Sequence, residues 1–208
     1  MIQTKDLNEL RATYVRVSNI IGKQSDIEKL GIPIETLIHA KERGTKIHAY
    51  CSSYLKGLWI PEIEEEYLPY FNAFTEWADA NIKETLKQNI RLYDDAKRFT
   101  GEFDVIALLK NREGPVLIDI KTSSAKSRSW PVQLAAYKSL CQINGYQVNE
   151  VMNVHLKKKK SAVFDENMKI ISPSQVEVKE IEYESFEKYL KIFESALLCY
   201  DYFERKEN

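Results

Sequence analysis

The sequence predicts an α/β fold, with strands packed between helices. Three observations carry that expectation. Two apolar runs, Phe103–Leu109 and Val116–Lys121, are joined by the polar turn 110–115 with Gly114 and Pro115, the signature of a β-hairpin. Runs this apolar belong to strands covered on both faces. Long segments with three- and four-residue apolar spacing lie before and after them. The 208 residues suffice for one domain with a substantial core. It divides into a helical N-terminal portion of about 1–80, a central core of about 81–160, and C-terminal strands with a helix over about 161–208.

Taken in order, residues 5–12 are polar with a helical leaning, and 15–22 read as a short strand or helix with Ser18 as a cap. Residues 25–31 read as a short helix stopped by Gly31-Ile32-Pro33. From Ile34 a longer helix runs to Gly57, with Gly44 the place where it could break. His48, Cys51, Ser52 and Leu55 share one face of it. His48 is thus the histidine on the inner face, while His39 and His155 have no stronger claim by position.

Glu64-Glu65-Glu66 suits a helix start. Leu68, Tyr70, Phe71, Phe74 and Trp77 then form an aromatic stripe that packs on a core or lines a path for stacked bases. Residues 82–93 alternate as a strand with Glu84 at its start. Thr122–Ser129 is a small, polar, basic loop whose Lys126 and Arg128 could meet phosphates. A helix opens near Trp130-Pro131 and closes at Gly145, with Gln133 and Tyr137 stacked four apart. Val148–Leu156 is a strand, Lys157–Lys160 reads as the basic tip of a hairpin, and Ser161–Phe164 returns. One or two strands over 168–182 and a helix over 183–205 follow, the helix with Phe186, Tyr189, Leu190, Phe193, Leu197 and Leu198 inward.

Composition narrows the classes. Apolar content of 44% and a net charge of −1 are those of an ordinary globular protein, and near-neutrality neither requires nor excludes nucleic acid. No run of about 18 apolar residues could span a membrane. The N-terminus lacks the apolar segment of a signal peptide. These features suggest the cytoplasm of a bacterial or phage-infected cell, or an organelle for a chain trimmed from a longer eukaryotic precursor. Cys51, Cys141 and Cys199 are too scattered for a zinc or iron–sulfur spacing and read as buried small hydrophobes.

The anomaly lies inside the hairpin. Asp104 follows Phe103 directly, and Asp119 is wedged between Ile118 and Ile120. A buried carboxylate is costly unless it is paired or holds a metal. Asp119 and Lys121 point to the same face, and an in-register hairpin brings Asp104 beside them. Two readings fit: a buried ion pair, or a divalent-metal site with a cation alongside.

The order His48, Gly101-x-x-Asp104, Asp119-x-Lys121, Gln133-x-x-x-Tyr137 resembles the RecB-type branch of the PD-(D/E)xK nuclease superfamily. Gly44-Thr45-x-x-His48 looks like that family's histidine helix, and Tyr67–Trp77 like its intervening helix, so the likeness spans residues 15–145. It implies a restriction-endonuclease-like core, a central mixed β-sheet flanked by α-helices, with a helical N-terminal part. It implies that His48, Asp104, Asp119 and the backbone carbonyl of Ile120 bind Mg²⁺ or Mn²⁺, and that Lys121 activates water and stabilises charge on phosphorus. Gln133 and Tyr137 would support the site strand and touch the DNA backbone, and Glu84 sits near the place of an upstream family carboxylate. No iron–sulfur cluster is expected. The implied activity is a DNA exonuclease acting on single-stranded or linear ends in recombination, repair or phage replication, with any helicase, recombinase or single-strand-binding partner a separate protein. The alternatives are an endonuclease on the same core, or a non-catalytic nucleic-acid-binding or assembly protein.

Overall fold

A computed structural model describes residues 14–25 and 31–205. In chain order the elements are β1 (Val15–Arg16), α1 (Val17–Ser25), α2 (Ile34–Leu55), α3 (Leu68–Asn81), β2 (Ile82–Asp94), β3 (Phe99–Leu109), β4 (Pro115–Lys121), α4 (Ser129–Ile143), β5 (Glu150–Lys160), β6 (Val163–Phe164), β7 (Ile170–Ser172), β8 (Gln175–Glu182) and α5 (Phe186–Glu204). Six strands make a mixed sheet in the order β1-β3-β4-β5-β8, with β2 also on β3. β6 and β7 form a separate two-stranded ribbon. The expected central mixed sheet flanked by helices is therefore what the chain forms.

The sheet separates two apolar layers. Phe103, Ile106, Leu117, Leu134, Leu140 and Phe193 pack with α1, α4 and α5 on one side. Ile47, Phe74, Trp77, Ile118, Ile120 and Val154 pack with α2 and α3 on the other. Adjacent residues Leu117 and Ile118 fall in opposite layers, as strand alternation requires. Burying each large side chain contributes about 1.5–3 kcal/mol, which is why a run as apolar as Pro115–Lys121 settles in the middle of the sheet.

Several local expectations change. α2 runs unbroken through Gly44, where an added Cβ would meet the Thr122 hydroxyl at 3.7 Å, an ordinary contact. The helix α1 starts at Val17, so Ser18 lies inside it. Glu64 opens a turn rather than a helix, its carbonyl accepting from the Tyr67 and Leu68 N–H groups before α3 begins. Tyr70, Phe74 and Trp77 of the aromatic stripe are core, whereas Phe71 is half-buried and Leu68 is exposed. Leu198 and Cys199 are exposed on α5 instead of inward, because Phe193, Ala196 and Leu197 already define its buried face.

The largest revision concerns Lys157–Lys160, which are strand and not a tip. β5 continues through all four lysines because β8 pairs with it, Lys157 to Glu177 and Lys158 to Val176. Expectations for residues 5–12 and for the short helix over 25–31 fall mostly outside the described residues.

Candidate functional site

The site begins as a gap in the sheet. β2 pairs along β3 from Phe99 to Leu109 and fills one edge. The other edge is shared: β1 takes Phe99 and Thr100 in parallel, and β4 takes Val105–Leu108 antiparallel. Between them Gly101–Asp104 have no strand partner on that edge among the described residues. Gly101 is required there by close approach. A Cβ at that position would lie 2.7 Å from Tyr137 Cε1 and 2.9 Å from Leu140 Cδ1.

Asp104 uses its side chain to bridge the gap. The Ile120 N–H donates to Asp104 Oδ2 at 2.7 Å, continuing the ladder one step past the Val105–Ile118 pair. In a strand the N–H and C=O of one residue leave by the same edge, so the Ile120 carbonyl also faces this gap. His48, carried on α2, sets Nδ1 3.0 Å from Asp104 Oδ1. Both carboxylate oxygens of Asp104 are thus engaged, one by an imidazole and one by backbone.

Asp119 sits deeper, buried on the α4 side. Its Oδ2 lies 2.7 Å from Lys121 Nζ and accepts from Asn153 Nδ2 at 2.6 Å. The same amide group reaches the Asp119 backbone carbonyl at 3.2 Å, and the Tyr183 hydroxyl donates to Asn153 Oδ1 at 2.9 Å. Lys121 Nζ donates to Gln133 Oε1 at 2.6 Å, and Gln133 Nε2 donates to the Tyr137 hydroxyl at 3.0 Å. Gln133 and Tyr137 stand one helical turn apart on α4, so the helix presents both to the end of β4.

The electrostatics are strained in an informative way. Burial pushes the Asp104 carboxyl up, but the His48 charge and hydrogen bond, the Ile120 N–H and Lys121 outweigh it and hold it below the usual range. Burial lowers His48, yet the Asp104 charge and hydrogen bond win and raise it. Asp119 moves the other way: burial and the Asp104 charge raise it despite Lys121. Burial, with the Asp119 and Asp104 charges adding to it, also pushes the Tyr137 phenol far up, so it stays a neutral hydroxyl.

A cleft of about 620 Å³ opens over the gap; His48, Asp104, Ile120 and Tyr137 are in its wall, with Arg16, Arg91 and Asn89. Arg91 is held by Glu102 at 2.5 Å, whereas Arg16 is exposed. Asn89 takes a left-handed conformation at φ 53° inside β2 and donates to the Ser52 hydroxyl, an unusual backbone that asparagine tolerates.

Six sequence-selected residues therefore gather: His48, Asp104, Asp119, Lys121, Gln133 and Tyr137. Three do not. Glu84 is exposed and pairs with Leu108, four residues along β3 from Asp104, so an upstream carboxylate there is displaced by roughly 13 Å at strand spacing. Lys126 and Arg128 are exposed in the loop after β4. Asn153 and Tyr183 were not singled out. Their signal was faint: Asn153 and His155 alternate inside the apolar Val151–Leu156, which marks a polar stripe on one face of β5.

Among the described residues no three His, Cys, Asp or Glu side chains converge closely enough to hold an ion by themselves. Two carboxylates and a facing carbonyl still suit Mg²⁺, which keeps several waters and needs few protein ligands. Asp119 is raised mainly by burial, with the Asp104 charge adding to it, and a cation bound between the two carboxylates would favour its charged form.

The sequence matches no protein-family model and no curated protein. Among solved structures, a provisionally named exonuclease from Eubacterium rectale superposes with a TM-score of 0.50 at 9% identity, covering 100% of this chain and 88% of that one. SSO0001 follows at a TM-score of 0.41 and 14% identity, covering 91% and 77%. The alkaline exonuclease of Laribacter hongkongensis gives 0.31 and 14%, covering 97% of both chains. The first likeness is one of fold, a central mixed sheet flanked by helices.

Proposed function

We propose that this chain is a divalent-metal-dependent DNA nuclease that hydrolyses phosphodiester bonds, working as an exonuclease on single-stranded or linear ends. The observation that supports it best is the gathering of two carboxylates, an imidazole and an ammonium group, drawn from α2, β3 and β4, at a break in the sheet, where His48 and Asp104 line the cleft and the Asp119–Lys121 pair lies behind it on β4. Asp104, Asp119 and the Ile120 carbonyl hold Mg²⁺ or Mn²⁺, with His48 as a further ligand whose nitrogen leans the preference to Mn²⁺. When bound, the ion supplies charge neutralisation on the phosphate and polarises water.

The remaining work falls to Lys121. Its ammonium has three donors. One meets Asp119 and one meets Gln133, which leaves the third for an attacking water or a nonbridging phosphate oxygen. Gln133, fixed in turn by the Tyr137 hydroxyl, sets the aim of that third donor. In the reaction a water oxygen bonds to phosphorus and gives up a proton to bulk water, the bond from phosphorus to the leaving sugar oxygen breaks, and that oxygen takes up a proton from bulk water. The cleft, with Arg16 in its wall, accommodates the strand terminus.

Digestion of labelled linear single-stranded, linear duplex and covalently closed circular DNA with Mg²⁺ and Mn²⁺ tests the proposal. Linear single strands are expected to shorten while circles survive. Cutting of closed circles would replace end-directed action with endonuclease action. Inactivity of the pure protein on every substrate at saturating metal would remove the nuclease reading.

A further inference from the structure

The register of β4, β5 and β8 places a row of lysines beside the candidate site. Lys121 pairs with His155, and His155 with Lys179, across three neighbouring strands. Side chains two apart share a face, so Lys157 and Lys159 extend the His155 face of β5 beyond the end of β4. The same face carries Asp119, Lys121 and Asn153, as the Asn153–Asp119 contact shows.

His155 lies in the middle of this face. It is buried, edge-on to Trp130 at 4.9 Å between ring centroids, with Nε2 2.7 Å from the Ser123 carbonyl. Burial lowers its pKa most, the hydrogen bond to the Ser123 carbonyl opposes that, and the charges of Lys157, Lys126 and Lys179 lower it further. Lys126 is exposed in the loop after β4, the loop whose Ser123 carbonyl meets His155. Glu177 is the carboxylate paired within it, 3.1 Å from Lys179 and 3.8 Å from Lys159. On a chain whose net charge is −1, Lys126, Lys157, Lys159 and Lys179 against Glu177 make this strip locally basic.

We infer that the Lys157–Lys159–Lys179 strip, with Lys126, is a phosphate track that holds a single-stranded polynucleotide on the side of the site away from the β1–β3 cleft. Lys157 and Lys159 follow one another along β5, on either side of the start of a register shift at Lys158–Lys160, and Lys179 stands on β8 opposite His155, so the three offer neighbouring cations to an extended backbone. Lysine, a compact charge on a flexible stem, suits contact without base selection. The inference rests on the nuclease reading for its substrate and deepens it: the cleft takes the terminus and the strip takes the rest of the strand.

The test measures fluorescence anisotropy of a labelled 20-nucleotide oligothymidylate with the full chain in EDTA, across a salt series, beside a digestion assay with Mn²⁺. The triple substitution Lys157→Gln, Lys159→Gln, Lys179→Gln is expected to reduce the slope of log affinity against log salt by about 2, at roughly 0.7 per phosphate contact on a single strand. The Lys→Arg triple at the same positions should keep the slope. A control triple on α1 and α5, Lys23→Gln, Lys188→Gln, Lys191→Gln, should also keep it. An unchanged slope in the first variant, or an equal loss in the control, overturns the track. Binding to vesicles of anionic lipid with none to the oligonucleotide would overturn it as well. Wild-type protein that binds with a track-dependent slope yet never cuts would instead sink the nuclease reading and leave the track standing.

Discussion

Gly101 joins the packing of the fold to the aim of Lys121, and replacing it gives a sharp test. In an open strand, Gly→Ala gains about 0.5–1 kcal/mol from lower chain entropy. At Gly101 the new Cβ would stand 2.7 and 2.9 Å from two Tyr137 ring carbons and 2.9 Å from Leu140 Cδ1. Carbon pairs are comfortable at about 3.5–4.0 Å, so something must move. Both neighbours are buried, Tyr137 7% exposed and Leu140 1%, and cannot swing into solvent. Overpacking of this kind costs about 1–3 kcal/mol. Gly101→Ala should then destabilise by about 1–2 kcal/mol net, and Gly101→Val by more, although valine favours strands. At about 2–4 °C per kcal/mol for a chain of this size, Tm should fall by about 2–8 °C for the alanine variant, read by circular dichroism. Combining Gly101→Ala with Leu140→Ala should cost less than the sum of the two, by roughly 0.5–3 kcal/mol, because the new methyl enters the space vacated. A raised Tm in either single variant, or strict additivity in the pair, would refute the close approach. Because Tyr137 fixes Gln133 and Gln133 fixes Lys121, hydrolysis by the alanine variant should fall further than its stability does.

Other outcomes follow from the same contacts. Asp104→Ala and Asp119→Ala should abolish both Mn²⁺ binding by calorimetry and cleavage. Lys121→Ala should abolish cleavage while keeping or tightening Mn²⁺ binding, since it frees Asp119 Oδ2; loss of binding there would contradict the role given to the ammonium group. His48→Ala should weaken Mn²⁺ more than Mg²⁺. Asn153→Ala removes the amide that orients Asp119 and should weaken Mn²⁺ by about 10-fold or more, with Tyr183→Phe milder; wild-type affinity in both would make the Asn153 contact incidental. His155 has a folded pKa below its unfolded one, so its contribution to stability is present above about pH 6.5 and is lost as pH falls towards the folded value. Urea unfolding of wild type and His155→Gln at pH 7 and pH 5 should show the wild-type advantage shrinking at pH 5; a growing advantage would reverse the sign and the argument.

How much could be read beforehand depended on where physics leaves a mark in one dimension. The hairpin was legible because Asp104 and Asp119 interrupt apolar runs that nothing else would interrupt. His48, Gln133 and Tyr137 were legible because helical spacing assigns each a face. The extent of β5 was not, since four consecutive lysines look like a solvated turn until the pairing of β8 supplies Glu177 opposite. Asn153 was hidden for a related reason: an amide has no charge to mark its burial as costly, and its meaning comes only from the strand beside it. The break between β1 and β4 could not be foreseen, because which two strands share an edge is a property of topology.

Asp119 is placed by Asn153 on β5, which is itself fixed by the Tyr183 hydroxyl, some sixty positions further along the chain. During translation the two carboxylates and the lysine leave the ribosome well before that phenol does. A nascent or prematurely terminated polypeptide that stops short of the tyrosine would display the acidic pair without its anchor. Fragments of that kind would be poor hydrolases, and potency would arrive late, with the last third of the polypeptide.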